Sequence, residues 1–241
     1  NIQVKIGDCL IFQGKYDEAI KEYKNVLSLP DAHFITASAA QLNIGVCLEL
    51  QKKYDEAIAE YNKVPAYPRY LSLAKLFIGR CLEAQGKDGQ QAYKEGFRVK
   101  GGYCLSFLPL IKDISDCADA FVLHLSTYPK TNAQSEMSDI RRALLKKASE
   151  NSSVCREIVK MMPDDLVVFA ELKPFLELYK ISVKQQAEIY LTVWKANLSK
   201  VVEDEESRKV VDGCVTALVQ LLGLSENPSI AEVEAKLAEI K

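Results

Sequence analysis

Ile6-Gly7-Asp8-Cys9-Leu10, Ile44-Gly45-Val46-Cys47-Leu48 and Ile78-Gly79-Arg80-Cys81-Leu82 are one phrase written three times. The glycines stand 38 and then 34 residues apart. Behind the first two copies, at identical offsets, come Tyr16-Asp17-Glu18-Ala19-Ile20 with Tyr23, and Tyr54-Asp55-Glu56-Ala57-Ile58 with Tyr61. A period in this range marks stacked repeats. It also bears on function, because a repeat array is usually a surface for holding another chain rather than a catalytic cup.

Each repeat reads as two antiparallel helices. The glycine of the first helix has no side chain, so the following helix can lie close against its backbone. Its neighbours Ile6, Ile44, Ile78 and Leu10, Leu48, Leu82 are apolar at helical spacing. Gly14 and Gly86 mark the turns, with Lys52 at that place in the second copy. The second helix opens on Asp-Glu, which suits the positive end of the helix dipole. Ala19 with Tyr23, and Ala57 with Tyr61, put a small and a large residue on one face, a pairing that lets helices interlock. Pro30 and Pro68 stop or start helices where repeats join.

The glycine, the Tyr-Asp-Glu-Ala stretch and the aromatic that follows resemble the tetratricopeptide repeat. The resemblance covers roughly residues 1–98, as three repeats at about 1–31, 38–67 and 72–98. It implies an all-α, right-handed superhelix of helical hairpins, continuing here into a helical C-terminal region. The third copy matches only in its first helix. Its continuation reads Lys87-Asp88-Gly89-Gln90-Gln91-Ala92-Tyr93, without the Tyr-Asp-Glu-Ala phrase. The four extra residues between the first two copies amount to about one helical turn and predict a longer helix from about Ala32 to Leu50.

Gly101-Gly102 is the sharpest break, and the domain boundary is placed there, at 1–100 and 101–241. Beyond it the pattern predicts helices near Leu105–Leu125, Glu136–Ala148, Val154–Met161 and Leu166–Leu178, with Pro174 kinking or ending the last. Tyr128-Pro129-Lys130 echoes Tyr67-Pro68-Arg69, which leaves open a degenerate fourth repeat near 104–130. Ser182-Val183-Lys184-Gln185 and Ser229-Ile230-Ala231-Glu232 read as capping boxes. The first opens a helix to about Lys200. The second, after Pro228, opens a final helix that could cap a solenoid, at 229–241. Between them a helix is expected from Glu205 to Leu222, stopping at Gly223.

Composition narrows the classes. The 241 residues are 48% hydrophobic, enough for a sizeable helical core. No apolar run is long enough to cross a membrane, and no signal peptide is visible. The chain opens at Asn1 without a methionine, which leaves room for a leader or further repeats. A net charge of -2 gives no electrostatic reason to expect nucleic acid. Glu203-Asp204-Glu205-Glu206 reads as a solvated helix start. None of the seven cysteines forms a Cys-x-x-Cys pair, and an odd, unpatterned set fits a reducing compartment. Cys9, Cys47 and Cys81 share one slot, expected to hold small buried residues. His33 and His124 have no ligand or triad spacing around them, and Asp164-Asp165 suits a helix N-terminus. No catalytic residue, metal ligand or cofactor is expected. Trp194, the single tryptophan, is expected in the core.

In the family that the repeats resemble, the first helices line the concave face. That places Val4, Asp8, Ile11 and Phe12 of the first repeat on a partner-binding groove, with Leu42, Val46 and Leu50 of the second and Leu73, Leu76 and Arg80 of the third. The groove is mostly apolar, and contiguous apolar surface tends to be covered. One covering is a partner peptide or amphipathic helix, which makes the protein a non-catalytic adaptor. The alternative is a structural subunit of a larger assembly, with the groove filled by its own C-terminal helices. Relatives that hold the acidic tails of heat-shock chaperones carry a clamp of Lys, Asn and Arg. Its places here hold Val4, Asp8, Asn43, Leu73 and Phe77, so no such tail is expected. Tyr67-Pro68 with Ala74 and Gly79 is also similar to repeats of bacterial envelope-assembly factors, which implies a periplasm as the alternative to a cytoplasmic location.

Overall fold

A computed structural model of the protein describes residues 2–30, 32–127, 136–178, 182–199 and 205–240, with the backbone alone at 136–138, 177–178 and 206. The described residues form fourteen helices and no strand. The chain is all-α, and it divides into two compact units, Asn1–Asp113 and Ile114–Lys241.

The first unit holds α1 (Ile2–Phe12), α2 (Tyr16–Leu27), α3 (Phe34–Leu50), α4 (Tyr54–Tyr61), α5 (Pro68–Ala84), α6 (Gln90–Phe97) and the short α7 (Cys104–Phe107). Three hairpins, α1–α2, α3–α4 and α5–α6, stack in chain order as an α–α solenoid. Every first helix ends in the same way. The N–H of Lys15, Lys53 and Lys87 donates back to the carbonyl of Leu10, Leu48 and Leu82, each at 2.9 Å. This closure needs a left-handed residue just before the lysine. Gly14 (φ 72°) and Gly86 (φ 74°) supply it without strain, and Lys52 (φ 61°) supplies it as a side-chain-bearing residue.

The hairpins lock through one contact. The rings of Tyr23, Tyr61 and Tyr93 lie over the backbone of Gly7, Gly45 and Gly79. A Cβ on those glycines would come within 2.6, 2.4 and 2.2 Å of the ring. Each ring is fully buried, so the absent side chain becomes aromatic packing. Neighbouring hairpins are tied by a second repeated contact. The Gln51 amide donates to Asp17 and the Gln85 amide to Asp55, both at 2.8 Å. The Gln85 bond, with Lys87 nearby, holds Asp55 below the usual carboxylate range. The aspartates at the second-helix start therefore brace the next repeat as well as suiting the helix dipole.

The expected break at Gly101-Gly102 is a turn inside this unit, with Gly101 at φ 75°. The single helix expected over Leu105–Leu125 is not formed. Pro109 has no N–H to donate and its ring crowds the carbonyl of the preceding turn, so α7 ends at Phe107. Phe107, Ile111, Ile114 and Cys117 are buried at helix-like spacing, but successive turns produce that spacing. Among the described residues no helical hairpin of the repeat type spans 104–127, and Tyr128-Pro129-Lys130 lie outside them.

The second unit holds α8 (Ala118–Thr127), α9 (Glu136–Ala148), α10 (Ser152–Met161), α11 (Leu166–Leu178), α12 (Val183–Asn197), α13 (Glu205–Leu222) and α14 (Ile230–Glu239). Both expected capping boxes are present, at Ser182 with Gln185 and Ser229 with Glu232. Pro174 sits inside α11 without ending it. Trp194 is buried in α12. Polar anchors hold this unit. The buried Arg141 donates to the Leu125 carbonyl at 3.0 Å and pairs with Asp165 at 2.5 Å. Asp165 also accepts from the Val168 N–H, so it caps α11. The buried Asn197 donates to the carbonyls of Pro163 and Val193.

Candidate protein-binding surface

The first helices of the three hairpins touch in order, α1 to α3 and α3 to α5. Of the residues expected on the groove, Phe12 is 92% exposed and Leu50 48% exposed, while Val4, Ile11, Val46, Leu73 and Leu76 are half-buried. Leu42 corrects the expected set. It is 5% exposed and belongs to the core of the array, because α3 packs on both sides and turns that position inward. Cys9 corrects the expected buried slot, being exposed where Cys47 and Cys81 are buried.

Polar groups stitch this face together. The Tyr23, Tyr61 and Tyr93 hydroxyls donate to Asp8 (2.6 Å), Glu49 (2.7 Å) and Glu83 (2.8 Å), one carboxylate per repeat. Burial, reinforced by these carboxylates, pushes all three phenols above their ordinary range, so they stay protonated as donors. Adjacent first helices are joined by the same groups. The Asn43 amide donates to Asp8 at 3.1 Å, and Arg80 pairs with Glu49 at 3.0 Å while lying over the Phe77 ring. Two of the expected site residues, Asp8 and Arg80, thus tie neighbouring repeats together. Burial raises the Cys47 and Cys81 thiols to about 12, which keeps them inert at neutral pH. Among the described residues no group of three His, Cys, Asp or Glu could hold a metal ion, and no helix is long and apolar enough to cross a membrane.

Residues 1–33 and residues 39–67 each match the tetratricopeptide repeat. The N-terminal region of the chain carries tetratricopeptide repeats. A comparison with curated protein sequences finds no match. Such repeats generally mediate contacts between proteins and are typically non-catalytic.

Reading repeats from the turn hides the second helix of the third hairpin. The Gly-to-Tyr interval is 16 residues in the first two hairpins and 14 in the third. Counted back from the tyrosine, Ala19, Ala57 and Gly89 coincide. A Cβ on Gly89 would lie 2.5 Å from the Gly79 carbonyl, so this glycine is the small residue facing the first helix. The signal was present in the tyrosine register. The hydroxyl-to-carboxylate bonds carried none, since their acceptor sits one residue after the glycine in the first repeat and four after it in the others.

Proposed function

We propose that the protein is a non-catalytic scaffold that holds a peptide or amphipathic helix of a partner protein on the face of α1, α3 and α5. The observation that carries this reading is the exposure of Phe12 and Leu50 beside the half-buried Val4, Ile11, Val46, Leu73 and Leu76. Apolar side chains spread over adjacent helices suit the apolar stripe of a partner helix. An acidic chaperone tail fits poorly. Asn43 is engaged with Asp8, Arg80 with Glu49, and a third carboxylate, Glu83, stands on the same face. The charge balance gives no support for nucleic acid. Seven cysteines, six of them buried and none in a disulfide, favour a reducing compartment such as the cytoplasm.

The test compares affinity capture from native extract by the parent chain and by a Phe12→Asp, Leu50→Asp variant. Both side chains are exposed, so the variant is expected to keep its helix content and melting temperature. Loss of a captured protein by the folded variant supports the proposal. Identical captured sets move binding away from this face.

A further inference from the structure

A second face of α1 is unlike its counterparts. Five residues before the motif glycine stand Ile2, Ala40 and Ala74, and one before it Ile6, Ile44 and Ile78. Two after it stand Cys9, Cys47 and Cys81, and six after it Gln13, Gln51 and Gln85. In α3 and α5 the first three positions are buried, at 7% exposure or less. Their glutamines donate to the aspartate of the preceding hairpin. In α1 and the turn after it all four positions are exposed, with Ile2 at 75% and Ile6 at 46%.

We infer that this face of α1 is an inter-repeat surface that receives one more helical hairpin of the same type, packed on it as α1–α2 packs on α3. The argument is continuity with an interface that the molecule already makes twice, α2 on α3 and α4 on α5. The occupant has a second helix with an alanine–aromatic inner face. An aspartate at its start accepts from Gln13, as Asp17 accepts from Gln51. Opposite Ile2 it carries a smaller residue than α2 and α4 carry opposite Ala40 and Ala74. A second copy of this chain stacked head to tail does not fit, because its second helices are occupied. α2 and α4 carry the next hairpin, and α6 carries α7, with Phe107 against Gly96 and Gln90 bonded to Leu110 and Lys112. The inference concerns a different face from the proposed partner site and stands without it.

The experiment joins a duplicate of residues 34–73 ahead of residue 2, which keeps the native interval from Tyr61 to the next motif glycine, with the duplicate's own cysteine replaced by serine. It is made with Ile2 and with Ile2→Ala, so that a clash at this position is separated from failure to dock. Labelling of Cys9 by a thiol reagent is the readout, with Cys47 and Cys81 as buried standards. The expected result is labelling at least tenfold slower than in the unextended chain, partly reversed by Gln13→Ala. Cys9 labelling at the unextended rate in both versions overturns the inference. So does an added segment that gains no helix by circular dichroism, since a competent end face orders the next repeat by nearest-neighbour coupling.

Discussion

The two units solve helix packing differently. In the first, one contact is made three times, a tyrosine ring over a glycine backbone, and its hydroxyl finds a carboxylate each time. In the second, the ties are made once each, by Arg141 to Leu125 and Asp165, and by Asn197 to Pro163. A repeated contact spreads the cohesion of the array over equivalent seats. A unique buried polar anchor concentrates it at one residue, which is costly to remove because its partners stay behind unpaired.

The sharpest break is expected at that anchor. Arg141→Met removes the partner of Asp165 and of the Leu125 carbonyl, and should destabilise the second unit by about 3 kcal/mol, the lower end for a buried pair since Asp165 is partly exposed. Trp194 lies in the same unit, so urea unfolding followed by tryptophan fluorescence measures the shift. An unchanged midpoint would remove the contrast between the units.

Next in size is the repeated seat. Gly45→Ala drives a methyl into the buried Tyr61 ring and should cost about 2 kcal/mol net of alanine's better helix propensity. Gly213 sharpens the comparison. Its added methyl meets nothing within 4 Å, so Gly213→Ala in α13 should stabilise by up to about 1 kcal/mol. Hydrogen exchange across α3–α4 and across α13 reads both changes, and equal signs would sink the distinction.

Among the destabilising changes the smallest is in the hydroxyls. Tyr61→Phe loses a bond to Glu49 and should cost about 1.5 kcal/mol at neutral pH. The sign of the pH dependence follows from the raised phenols. Below about pH 10 both folded and unfolded tyrosines hold their protons and the stabilisation is whole. Above it the unfolded chain releases protons that the folded array keeps, so stability falls as pH rises. Cys47 and Cys81, pushed to about 12, act in the same direction from nearer pH 9. Melting temperatures between pH 8 and 11 should decline less steeply for Tyr61→Phe than for the parent.

The array could be read in sequence because its seat needs particular residues at fixed offsets. Nothing but glycine fits beneath Tyr23 or Tyr61, and a left-handed turn residue must follow seven positions later. The third hairpin was half hidden because it keeps the seat while lengthening the turn and starting its second helix closer to the tyrosine. Leu42 was misplaced because the resemblance assigns positions to a face without weighing how α3, packed on both sides, turns one of them inward. The stretch from 104 to 117 misled for another reason. Buried residues three and four apart arise from consecutive turns as well as from a helix, and Pro109 was the sign that decided between them. Cys9 shared a slot with two buried cysteines, yet burial there is conferred by a neighbouring hairpin and not by the slot.

The shortened third hairpin has a practical consequence. Its ring finds Gly79 although two residues have gone from the path between them, so the distance along the chain is not what aligns the helices. The loop around Lys87 and Asp88 is therefore slack in the engineering sense, a place where a tag or a reporter can be spliced in while the ring and its glycine keep the two helices in phase.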